Sequence, residues 1–138
     1  MNSATRRTIG VISIAFLLGS CSTAPAVTTT TALPPANLVV TMSEWRFAPA
    51  DGAVSAGQPA VIELRNAGTL LHEWTLVSGH VETEEDLDDV EVLANQQVNA
   101  GGVERIVIPV LEPGVYEVVC PIPGHIASGM VGTLTVEG

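Results

Sequence analysis

From residue 37 onward, apolar and polar positions alternate in short bursts that end at glycines and prolines. The bursts read NLVVTM (37–42), AVIELR (60–65), HEWTLV (72–77), RIVIPV (105–110), VYEVVC (115–120) and VGTLTV (131–136). They are rich in Val, Ile, Thr and aromatics, which fit a pleated, half-buried surface. Pro49, Gly52, Gly57, Pro59, Gly68, Gly79, Gly101-Gly102 and Pro113-Gly114 punctuate them. The spacing predicts an all-β chain of about seven or eight strands in ~100 residues, arranged as a Greek-key β-sandwich. Trp45, Phe47 and Trp74 are expected in its core, with Tyr116 packed in a sandwich corner. One segment breaks the two-residue period. Apolar residues at 87, 90 and 93/94, with Thr83 and Asp86 as a capping-box-like pair, predict a short helix near 83–94 over one sheet edge.

The beginning of the chain follows other rules. Residues 1–20 hold two Arg and no acid, and Ile9–Leu18 is one apolar run. That run is too short for a comfortable permanent span and reads as the apolar segment of a signal peptide. It ends in Leu18-Gly19-Ser20-Cys21, which resembles a bacterial lipobox, so cleavage before Cys21 and lipidation of its thiol are expected. Arg6-Arg7 resembles a twin-arginine export signal only weakly. Residues 22–36, STAPAVTTTTALPPA, carry no charge and three Pro. They read as a linker, with a reach of at most roughly 50 Å when fully extended. The expected organisation is signal peptide 1–20, lipidated Cys21 and linker 21–36, and one folded domain 37–138. Its expected place is outside the cytoplasm. It would be lipid-anchored on the outer face of the cytoplasmic membrane, or held in the periplasm or at the outer membrane.

Charge narrows the partners. Lys is absent, and after residue 20 three Arg face fifteen acids, a net charge of −12. Such a chain repels nucleic acid phosphates and favours basic partners. Seven acids between Glu82 and Glu91 read as a solvated face or as a docking patch for a basic redox protein. Two cysteines in an exported chain would ordinarily suggest a disulfide. Here Cys21 sits at the processing site and Cys120 in a motif that uses its thiolate, so no Cys21–Cys120 bond is expected.

That motif is CPIPGHIASGM at 120–130, which sets Cys120, His125 and Met130 at C-x4-H-x4-M spacing. A thiolate, an imidazole and a thioether on one tight loop suit copper. A second imidazole is available from His72, in NAGTLLHEW at the start of a strand-like run. His80, between Gly79 and a run of acids, reads as an exposed loop residue and not a ligand.

With VSAGQPAVIELRNAGTLLHEW, PGVYEVVCPIPGH and SGMVGTLTV, the chain resembles small cupredoxins of the plastocyanin/azurin family over most of residues 37–138. The resemblance implies one type 1 copper held by His72, Cys120, His125 and Met130, and a one-electron carrier working as a monomer with protein redox partners. It also implies that the Glu73 N–H donates to the Cys120 sulfur, that Asn66 belongs to the ligand surroundings, and that the Leu71 carbonyl faces the metal. Ile122 keeps its N–H between two prolines and is a second candidate donor to the sulfur. Position 73 departs from the best-known members, which carry Asn there to tie the ligand loops together. Glu73 is expected to do this as an acceptor or to add negative charge that favours Cu(II). Apolar Ile122, Pro123 and Ile126 around His125 suggest a docking face. The competing reading is copper delivery, storage or sensing. Catalysis is not expected, because three His and a single loop Cys do not furnish a second copper centre.

Overall fold

Most of the Val- and Thr-rich segments form strands, each paired with at least one neighbour. In the computed structural model, which describes residues 33–138, these are β1 Leu38–Ser43, β2 Arg46–Ala48, β3 Asp51–Ser55, β4 Ala60–Asn66, β5 His72–Val77, β6 Val92–Val98, β7 Val103–Ile108, β8 Gly114–Val119 and β9 Val131–Glu137. The expected signal peptide, Cys21 and most of the expected linker lie outside the described residues. Among the described residues no helix is long and apolar enough to cross a membrane.

One sheet has the order β2-β1-β4-β7 and the other β3-β9-β8-β5-β6. The chain switches sheets repeatedly, so β1 pairs with β4 and β3 with β9 in parallel, while the hairpin neighbours run antiparallel. Between the sheets lie Met42, Ile62, Leu64, Leu76 and Leu134, each at 1% exposure or less. Fully burying side chains of this size contributes about 1.5–3 kcal/mol each. This is the expected all-β sandwich, with nine described strands in place of seven or eight.

The period of two explains β5, whose six residues are all buried. Trp74 and Leu76 join the main core, while Val77 joins a second cluster with Val81, Val119 and Ile126. Successive side chains therefore serve opposite faces, and both faces are covered.

The expected helix near 83–94 is replaced by a single 3-10 turn, Glu84–Asp88, and then by strand β6. The Thr83–Asp86 capping box does form. Leu87 and Val90 cover the second cluster, whereas Leu93 and Ala94 pack on the main core. Two different cores thus produce an apolar spacing that imitates one helical stripe. Tyr116 is half-buried against the main core, and its hydroxyl donates to the Glu112 carbonyl at 2.9 Å.

Candidate metal centre

Sheet register assembles the site. β5 and β8 are antiparallel neighbours with Thr75 opposite Val119, so the start of β5 meets the end of β8. His72 opens β5 and Cys120 follows β8. Both take the inward phase of their strands, with Trp74 and with Val118. The 120–130 loop then returns to β9, whose Val131 pairs with Val119. Cys120 N–H donates to the Met130 carbonyl at 3.1 Å, and Met130 N–H to the His125 carbonyl at 3.0 Å, which closes the loop on itself. Gly124 turns the chain with φ 83°, a conformation that disfavours side chains with a Cβ.

The metal-binding atoms of His72, Cys120 and His125 lie within 4.8 Å of one another, and all three residues are buried. Cys120 Sγ is 3.2 Å from His125 Nδ1. Met130 is fully buried in the same cluster as Cys120. Both ring nitrogens of His72 are buried without a hydrogen-bond partner. Buried polar atoms are rarely left so, and an orphaned pair beside a thiol and a second imidazole fits a metal ion as the missing partner.

The electrostatics agree. Burial pushes the His72 and His125 pKa values down, so both rings stay neutral, the form that ligates. The positive charge His125 can carry lowers His72 further. Burial pushes the Cys120 thiol up, while the Glu73 and Ile122 N–H groups act the other way. The Glu73 amide lies 3.4 Å from the sulfur. The charges of Glu73 and Glu84 oppose ionisation. Cys120 is a free thiol, and a bound cation takes the place of its proton. The donor set fits one type 1 copper ion, which His72, Cys120 and His125 would hold with the Met130 thioether as a further ligand.

The surroundings differ from the sequence-based expectation in three places. Glu73 does not tie the ligand loops together. The two-residue period turns it to the outer face, where its carboxylate accepts from Thr75 Oγ1 (3.0 Å), Asn95 Nδ2 (3.0 Å) and Gln97 Nε2 (2.7 Å), joining β5 to β6. Ile126 is not on a docking face, because it is 5% exposed and buried in the second cluster. Trp45 is not core, because it is 41% exposed and its ring meets His125 edge-on at 4.7 Å. Pro123 is exposed and Ile122 half-buried. Asn66 holds the turn ahead of His72, donating to the Leu70 carbonyl at 2.7 Å and accepting from Gly68 N–H at 2.9 Å. His80 is exposed and lies 3.1 Å from Glu117.

Two carboxylates escaped sequence reasoning. Glu84, in the 3-10 turn, accepts from Gly124 N–H at 2.8 Å and pins the ligand loop. Glu44, in the β1–β2 turn, reaches the turn before His72. No local pattern marks either residue, since each acts across at least 25 positions of chain.

Comparison with known proteins matches residues 10–136 to the cupredoxin-like domain. The copper-resistant cuproprotein CopI of Rubrivivax gelatinosus is 30% identical over 106 residues, or 72% of this chain. The chain spans 64% of that relative's length. Reduced auracyanin from Roseiflexus castenholzii superposes with a TM-score of 0.65 at 22% identity, over 73% of this chain and 96% of that one. Auracyanin A of Chloroflexus aurantiacus, described as a blue copper protein, gives 0.60 at 24% identity, over 72% and 99%. Both structures share the fold. With a family match over nearly its whole length, this chain belongs to the cupredoxin-like domain family.

Proposed function

We propose that this protein is a one-electron carrier that works outside the cytoplasm on a lipid tether at Cys21. The observation that carries the reading is the buried trio His72, Cys120 and His125, with both nitrogens of His72 orphaned. A copper ion held there supplies a Cu(I)/Cu(II) couple. The residues contribute enclosure: His72 and Cys120 are fully buried and His125 nearly so. Such a site gives a substrate no open position, which favours electron transfer over catalysis. Ligands fixed on a strand start and on a self-closed loop resist rearrangement between oxidation states.

The proposed exit for the electron is the His125 edge. Exposed Leu70 and Leu71 precede His72, exposed Pro123 shares the loop of His125, and exposed Trp45 meets the His125 ring from the β1–β2 turn; together they support an apolar docking rim for a protein redox partner. The test is cyclic voltammetry of the copper-loaded protein. A reversible one-electron wave supports the carrier, whereas an irreversible wave, or turnover of dioxygen or nitrite, counts against it. Radiolabelled palmitate incorporation that disappears in Cys21→Ala tests the tether.

One observation favours a second reading. The CopI relative is named for copper resistance, which suits copper delivery, storage or sensing. Rapid copper transfer to an apo-acceptor protein would select that reading, and retention over hours would select the carrier.

A further inference from the structure

A histidine on a metal uses one ring nitrogen, and its other N–H needs an acceptor that fixes the tautomer and the ring's orientation. For His72 that second nitrogen is buried, and nothing hydrogen-bonds to it. The nearest carboxylate belongs to Glu44, whose Oε1 lies 3.8 Å from His72 Nε2. This is too long for a hydrogen bond, so the carboxylate acts on the ring through its charge.

Glu44 is itself held in place. Its Oε1 accepts from Thr69 N–H at 2.7 Å, from Thr69 Oγ1 at 3.2 Å and from Leu70 N–H at 3.0 Å. These donors sit in the turn that leads into His72. The turn also leaves room for the carboxylate, since a Cβ on Gly68 would fall 2.7 Å from both of its oxygens. Three donors on one carboxylate oxygen hold the side chain in a single orientation and favour its charged form.

We propose that Glu44 is a positioning residue of the metal centre: its carboxylate faces His72 Nε2 at 3.8 Å, its negative charge favours the proton on that nitrogen, and Nδ1 is left for the metal. The assignment rests on the metal-binding reading and adds to it a fixed anion from the β1–β2 turn. The same turn carries Trp45 against His125, so one short segment backs both imidazoles. An anion behind a ligating imidazole raises the basicity of the ligand and favours Cu(II) over Cu(I).

The experiment uses the full chain with Cu(II) alone as the probe. Glu44→Gln keeps an amide oxygen for the Thr69 and Leu70 donors and removes the charge. It is expected to retain the thiolate-to-copper band while Cu(II) affinity falls about ten- to hundredfold relative to wild type. Its reduction potential is expected to rise, by about 59 mV for each tenfold change in the Cu(II)/Cu(I) affinity ratio. Pulsed EPR is expected to show an altered coupling to the remote nitrogen of one histidine. Gly68→Ala, which displaces the carboxylate without discharging it, is expected to shift the same readouts in the same direction, and it covers the case in which Glu44→Gln does not fold. An unchanged potential and remote-nitrogen coupling in both variants would overturn the proposal, leaving Glu44 an anchor of the turn only. Nitrogen-15 NMR of the metal-free wild type separates this outcome from failure of the metal reading. The Nε2–H tautomer of His72 is expected, and the Nδ1–H tautomer overturns the proposal whether or not copper binds.

Discussion

Replacing Glu73 separates its structural role from its charge. The carboxylate accepts three side-chain hydrogen bonds, and the three donors differ in what they do when it is gone. Asn95 and Gln97 are exposed and can turn to water. Thr75 is 2% exposed and cannot. Glu73→Ala therefore strands one buried hydroxyl, at a cost of about 1–3 kcal/mol. Glu73→Gln keeps an oxygen for Thr75 and Asn95, and Gln97 can flip its amide to accept from the new NH2. It should remain within about 1 kcal/mol of wild type. The assay is urea unfolding of the reduced, metal-free protein followed by tryptophan fluorescence, with the midpoint read at constant slope. Equal losses in both variants, or no loss in Glu73→Ala, would refute this division of roles. The charge has its own readout. The Glu73 carboxylate opposes ionisation of Cys120, and the same sign of field favours Cu(II). Glu73→Gln and Glu73→Asn are thus expected to raise the reduction potential, and no change or a decrease refutes that part.

Four further predictions concern pH, packing and docking. The Cys120 pKa is raised from 9.0 and the two histidines are lowered from 6.5, so Cu(II) binding between about pH 6.5 and 9 should release one proton. Competition titrations should show apparent affinity rising about tenfold per pH unit, and a flat profile contradicts a thiolate ligand. Arg65 and Arg105 each hydrogen-bond the Glu63 carboxylate, which lowers its pKa below 4.5. Its contribution is present above that value and is lost as pH falls through the folded pKa. Glu63→Gln should flatten the acid side of the stability profile, and an unaltered acid limb contradicts the assignment. Ile126→Ala should cost about 2–5 kcal/mol in denaturant unfolding, as a core deletion does. Ile122→Lys should instead slow electron transfer to a protein partner while leaving the copper spectrum intact. A neutral Ile126→Ala would return that residue to the surface.

The ligand set was legible because its chemistry is local. Cys120, His125 and Met130 share one loop, and His72 stands at the start of the strand-like run HEWTLV. The strands with Val- and Ile-rich cores were equally plain. β6 was not, because its outward positions carry Asn95 and Gln97 for the Glu73 cluster and so dilute the β pattern. Ile126 was misassigned because apolar residues on a loop look alike in sequence. The successive turns after Cys120 expose Pro123 and tuck Ile126 inward. Glu44, Trp45 and Glu84 reach the site only through tertiary contacts between separate turns, and their immediate neighbours in sequence hold no trace of that role.

The most direct test is to add one equivalent of Cu(II) to the protein with reduced Cys120, recording visible absorption and EPR, with Cys120→Ser in parallel. One copper per chain, an intense thiolate-to-copper band and a narrow hyperfine splitting are expected for wild type, with no band in Cys120→Ser. A colourless wild-type product, or a band that survives the loss of Cys120, would contradict the assignment of His72, Cys120, His125 and Met130 as a type 1 copper centre.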